Sequence, residues 1–155
     1  MFVLVFAQNM FKLASLDPEI GSVNVIGNIR TGRKAFLTGL VGLAMDETRS
    51  KLYTYSQTDT KLWELKLRER KAGKAIPVFE TGISGIIDMA SHPQNGLIYA
   101  TTGTALYKIN QNHQRVKLLN DGVKLSGIWF SRDGVLHGIR ERARNKRKSK
   151  KANVY

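Results

Sequence analysis

A phrase that returns three times at nearly even spacing constrains this chain more than any other feature. Residues 39–45 read Gly-Leu-Val-Gly-Leu-Ala-Met, residues 82–88 read Gly-Ile-Ser-Gly-Ile-Ile-Asp, and residues 125–130 read Leu-Ser-Gly-Ile-Trp-Phe. With Gly42, Gly85 and Gly127 aligned, the copies lie 43 and 42 residues apart. Two more phrases follow the first. Leu52-Tyr53-Thr54-Tyr55 answers Leu97-Ile98-Tyr99-Ala100, and Leu62-Trp63-Glu64-Leu65 answers Leu106-Tyr107-Lys108-Ile109. The chain opens on the same pair, Leu4-Val5-Phe6-Ala7 and then Phe11-Lys12-Leu13-Ala14. A fixed period means one supersecondary unit stacked on copies of itself, because no single unit can bury its apolar faces alone.

The unit is built from strands. Apolar runs are short, as in Leu62–Leu67, 75–79 and 116–119, and turn residues flank them. Asn95-Gly96 and Asp133-Gly134 stand between apolar runs and supply the positive-φ turns that join antiparallel strands. No stretch of about 12 residues before the basic tail keeps the 3.6-residue period of a helix. A period of roughly 40–45 residues holding four short strands is that of a β-propeller blade. The fold expected is all-β, an incomplete β-propeller of about three four-stranded antiparallel blades, followed by a disordered basic C-terminal tail. The expected blade repeats are 2–28, 39–80, 83–121 and 125–139 within a partial propeller of 2–139, and the tail is 140–155. The expected strand pattern is three, four, four and two.

The segment from Ser15 to Gly27 (SLDPEIGSVNVIG), with Val41-Gly42-Leu43-Ala44-Met45-Asp46 and Lys51-Leu52-Tyr53, resembles the "LYxIDPxTG…GLAFDP" repeats of YVTN-like and PQQ-like β-propellers. The resemblance implies the propeller fold over about residues 2–139 and carries no activity with it, since such propellers serve as binding platforms, surface proteins and enzymes.

Three and a fraction blades are too few to ring a channel, so open blade edges are expected to drive self-association or to bind a protein partner. Two completions fit. The chain is a piece of a longer propeller, which the mid-blade start and the stop near 139 favour, or two copies close a six-bladed ring. In the ring, the strand at 125–131 completes the first blade of its neighbour, and the strand at 135–139 competes for that place.

Charge enters here. The 155 residues carry 25 Lys+Arg against 12 Asp+Glu, a net charge of +13. Residues 140–151 hold eight bases and one acid, so this stretch supplies about half of the excess. Arg140, Arg142, Arg144, Lys146, Arg147, Lys148, Lys150 and Lys151 are candidate contacts to a polyanion such as nucleic acid or an anionic surface. No aromatic residues interleave with them, so any such binding is non-specific. A solvated end with no partner and a targeting signal are the competing readings. A second basic cluster, Lys66, Arg68, Arg70, Lys71 and Lys74, reads as a solvated loop between the third and fourth strands of one blade.

The chemistry of the remaining residues is sparse. The chain has no cysteine, hence no disulfide, thiolate site or cysteine nucleophile. His92, His113 and His137 share no short spacing, so no metal site is expected. Asp46, Asp88 and Asp121 read as turn residues. Asp88 falls within an innermost strand and is the candidate for facing a channel. Trp63, Trp129, Tyr53, Tyr99 and Tyr107 are expected in the core between blades. No phosphate-binding loop or nucleophile elbow occurs. The apolar start is too short for a signal peptide or a membrane span and fits a strand. The expected function is therefore a non-catalytic binding or structural module with no catalytic residues and no cofactor. Polyanion contact through the tail and a truncated piece of a propeller enzyme are the alternatives.

Overall fold

The computed structural model describes residues 1–32, 35–67 and 73–140. Its thirteen strands are β1 (Phe2–Ala7), β2 (Met10–Leu16), β3 (Val23–Asn28), β4 (Leu40–Asp46), β5 (Lys51–Ser56), β6 (Lys61–Leu65), β7 (Ala75–Glu80), β8 (Asp88–Ser91), β9 (Ile98–Thr101), β10 (Ala105–Asn110), β11 (Arg115–Asp121), β12 (Gly127–Phe130) and β13 (Leu136–Ile139). They form four antiparallel sheets in chain order, β1-β2-β3, β4-β5-β6-β7, β8-β9-β10-β11 and β12-β13. The architecture is all-β and propeller-like, with an incomplete set of blades. No described residue lies in a helix, and no helix among them is long and apolar enough to cross a membrane. Of the expected disordered tail, 140–155, residues 141–155 lie outside the described residues, and Arg68, Arg70 and Lys71 of the second basic cluster lie outside them too.

Each complete sheet sends alternate residues to its two faces, as the two-residue period of a strand requires. Leu52, Trp63 and Leu65 join Leu13, Ile29 and Leu40 in a core between the first and second sheets. Tyr53, Tyr55 and Leu62, their neighbours in sequence, join Ile98, Ala100 and Ile109 in a core between the second and third. The innermost strands stand side by side, β4 against β8 and β8 against β12.

Strand register sets the true period of the repeat. Ala44 pairs with Tyr53 in one blade and Ala90 with Tyr99 in the next, an offset of 46 residues, while Trp129 pairs with His137 at the same place in the last hairpin. Leu43 therefore corresponds to Met89 and Ile128, Gly42 is the extra residue of a bulge in β4 that β8 lacks, and the expected alignment of Gly42 with Gly85 is corrected. Gly85 lies in the connection before β8, at φ +72°. The same β-bulge interrupts three sheets, at Leu13/Ala14, Leu62/Trp63 and Leu106/Tyr107. It marks Leu13, Leu62 and Leu106 as equivalent, and through their partners Leu4, Tyr55 and Thr101. By this measure Phe2 corresponds to Tyr53 and Tyr99.

Candidate functional site

The polar side chains of the described blades gather along the seams between innermost strands. Asp46 ends β4 and is fully buried. Burying a carboxylate is costly unless it is paired and hydrogen-bonded. Here Thr48 Oγ1 donates to Oδ1 at 2.6 Å and Arg49 to Oδ2 at 3.0 Å. Gly96, from the turn before the next blade's second strand, lies directly against the carboxylate, at φ +69°. The buried Gln111 amide donates to the Gly96 carbonyl at 2.6 Å. One blade further on the arrangement returns with different residues. His92 takes the place of Asp46, and Gly134 takes the place of Gly96, 3.0 Å from His92 Cε1 as measured from an added Cβ. His92 Nδ1 accepts from the Gln94 backbone N–H at 3.3 Å, and its ring packs on Phe130.

At the other end of the seams, side chains of one blade donate to the backbone entering the next. Tyr55 donates its hydroxyl to the Ile83 carbonyl, Gln57 its amide to the Ile86 carbonyl at 2.8 Å, and Thr101 its hydroxyl to the Leu125 carbonyl at 3.2 Å. Asp88 belongs to the same system. Its Oδ2 accepts the Ile128 N–H at 2.8 Å, across the seam between β8 and β12, and its Oδ1 accepts the Met89 N–H at 2.9 Å. Each oxygen holds one backbone donor, which leaves lone pairs free, and the residue is half-buried. Beside it in sequence, Ile87 lines a shallow cleft with Gly103, Thr104, Lys124, Leu125 and Ser126.

Burial, with the charges of Glu64 and Asp46 added, pushes the Tyr53 hydroxyl up to about 12. Burial acts on Glu64 in the same upward sense, but hydrogen bonds from Lys66 and Lys51 outweigh it and hold the carboxyl below its usual range.

The remaining sequence candidates disperse. His113 is exposed and its backbone N–H donates to Asn110. His137 stacks on Trp129 with ring centroids 5.3 Å apart. Asp121 ends β11, exposed. Among the described residues no three His, Cys, Asp or Glu side chains are grouped as metal ligands. Arg140 is exposed, while Arg142, Arg144, Lys146, Arg147, Lys148, Lys150 and Lys151 lie outside the described residues. Of the aromatic residues expected in the core, Tyr53 and Trp63 are buried and Tyr99 and Tyr107 half-buried, but Trp129 is 48% exposed. It sits on the face of β12 that no following blade covers. Sequence reasoning missed Asp46 as a buried seam residue. The Asp46-x-Thr48-Arg49 turn was the available signal, since it brings a hydroxyl and a guanidinium to the carboxylate.

No protein-family profile matches the sequence, and no curated protein matches it. The fold itself has solved counterparts. A structure from a nidogen/laminin complex superposes with a TM-score of 0.60 at 14% identity, covering 84% of this chain and 48% of that one. A gluconolactonase from Xanthomonas campestris gives 0.57 at 13% identity, covering 83% and 42%. A luciferin-regenerating enzyme gives 0.50 at 15%, covering 78% and 40%. The chain thus spans less than half the length of these proteins, and the likeness is one of fold. It corrects the expectation of a non-catalytic module, because the shape is shared with enzymes as well as with a protein found in a protein complex.

Proposed function

We propose that these blades belong to a catalytic propeller, and that hydrolysis of a sugar lactone is its reaction. The observation that carries this reading is the shared architecture with a gluconolactonase, joined to an acid, Asp88, at the start of an innermost strand. In this reading Asp88 faces the axis and acts as general base. It takes a proton from a water whose oxygen adds to the lactone carbonyl carbon, and the proton then passes to the ring oxygen as the acyl C–O bond breaks. Lys124, Ser126 and Thr104, which line the neighbouring cleft, contact the sugar hydroxyls.

The test is pH-stat hydrolysis of glucono-δ-lactone by the purified chain and by Asp88→Asn. Asparagine keeps an oxygen to accept the Ile128 N–H and gives up only the acceptor for the Met89 N–H, so the link across the seam is retained while the base is lost. A rate above the buffer reaction that falls about a hundredfold in the variant is expected, the usual scale of general-base catalysis. No rate above buffer, or an unchanged variant, overturns the reading.

Protein contact is the second element of the proposal. Apolar side chains are exposed at both ends of the blade array, Phe6, Val23 and Val25 in the first sheet and Trp129, Val135 and Ile139 in the last hairpin. Open blade edges of this kind support association with another chain.

A further inference from the structure

One cleft of the second blade carries charge that the repeat does not call for, and we propose that it binds the phosphate group of a small phosphate monoester. It stands at the end of the seams that holds Asp46, away from Asp88, and is independent of the reaction proposed above.

Two stretches of chain build it. The turn from β4 to β5 brings Arg49, Ser50 and Lys51, and the end of β6 with the residues after it brings Glu64, Lys66 and Leu67. Between them the described residues leave a cleft of about 360 Å³, a size that small-ligand sites occupy. Three cations and one carboxylate line it. Lys51 Nζ stands 3.1 Å from Glu64, and Lys66 donates to the same carboxyl group. Glu64 is little exposed, so it acts as a post that holds the two ammonium groups side by side.

The cations keep donors in reserve. An ammonium group has three N–H bonds and a guanidinium five. One from each lysine goes to Glu64, while Arg49 gives Nη1 to Asp46 at 3.0 Å. All three side chains are more than a third exposed, which leaves them within reach of a ligand. Spare N–H groups under a net positive charge suit a phosphate, which brings up to two charges and several acceptor oxygens. Leu67 is partly buried at the same cleft and offers an apolar wall to the organic part of the ester.

The next blade shows that the fold does not need this set. Register makes Leu52 equivalent to Ile98 and Leu65 to Ile109. Arg49, Ser50 and Lys51 therefore answer to Asn95, Gly96 and Leu97, and Lys66 and Leu67 to Asn110 and Gln111. None of the three cations returns. In the third sheet the equivalent place is closed, because Gln111 is buried with its amide on the Gly96 carbonyl at 2.6 Å. In the second sheet it is open. Ser50 points the same way. Its φ is +52°, a left-handed backbone that the third sheet gives to glycine. A strained residue thus stands where glycine would be at ease, and it brings a hydroxyl to the lining of the cleft.

Isothermal titration calorimetry on the full chain, at constant ionic strength, compares glucose 6-phosphate, inorganic phosphate and glucose. Glucose 6-phosphate is expected to bind one to one, inorganic phosphate about tenfold more weakly and glucose not at all, a factor of ten being the scale of one contact. Amide shifts in nitrogen-labelled protein are expected at 49–51 and 64–67. Inorganic phosphate binding as tightly as the ester, or shifts confined to the basic residues after 140, overturns the proposal. Two variants complete the test. Lys66→Gln keeps an N–H donor for Glu64 and loses the charge, so affinity for the ester is expected to fall about tenfold. Ser50→Gly is expected to weaken binding while raising the urea midpoint, a pairing that a merely structural serine would not give. Unchanged affinity in both variants overturns the proposal. No readout depends on activity, so failure of the lactonase reading and failure of this one are told apart.

Discussion

Asp46 and Gly96 show how much of this fold rests on contacts between one side chain and one backbone. A Cβ at position 96 would run into the Asp46 carboxylate, and the residue also sits at φ +69°, where only glycine is at ease. Gly21 has nearly the same backbone, φ +68°, with nothing within 4 Å. Gly96→Ala and Gly21→Ala therefore separate backbone strain from seam packing. Gly21→Ala is expected to cost about 1 kcal/mol and Gly96→Ala at least about 2 kcal/mol more, by urea denaturation. Equal losses would mean that the Asp46 seam holds nothing together. Tyr53 carries a pH dependence. Its folded-state value near 12 lies above the ordinary 10, so the unfolded chain loses its proton first as pH rises. Stability from this group is full below about pH 10 and is lost between 10 and 12. Tyr53→Phe is expected to flatten the stability profile over that window in alkaline denaturation, and an unchanged profile would contradict the assignment. These residue roles were only partly legible in the sequence. The position of Asp88 in the repeat puts it on an innermost strand. That its carboxylate holds Ile128, forty residues away, is seen only in the seam, whereas for Asp46 the hydroxyl and guanidinium two and three residues on are a local hint of a buried carboxylate.

Strands were the most legible level, because alternation and turn chemistry are local. Asn95-Gly96 and Asp133-Gly134 stand at tight turns with positive φ at the glycine, as the dipeptides imply. The exact period was not legible, for a physical reason. Glycines recur both inside the innermost strand, at Gly42, and in the connections leading to it, at Gly82 and Gly85, since each place demands positive φ. Aligning the phrase by glycine therefore mixed strand with connection. Hydrogen-bond register and the bulge shared by Leu13, Leu62 and Leu106 are free of that confusion, because they follow the sheet. Leu62 and Trp63, adjacent in sequence, serve opposite cores because side chains alternate across a strand, so both faces of the blade are apolar.

At the scale of the whole molecule, four antiparallel sheets of the described residues stand side by side, with apolar cores between the first three and the innermost strands β4, β8 and β12 next to one another. Activity, by contrast, left little trace in the sequence, because a propeller's residues chiefly serve its seams and the fold is shared by enzymes and by proteins of other kinds. Hydrogen exchange resolved to single amides tests most directly the central claim that side chains of one blade hold the backbone of the next. The Ile128 amide, bound by the Asp88 carboxylate at 2.8 Å, is expected to exchange slowly in the chain as it stands and about tenfold faster in Asp88→Ala. Equal protection of Ile128 in the two proteins would contradict that claim.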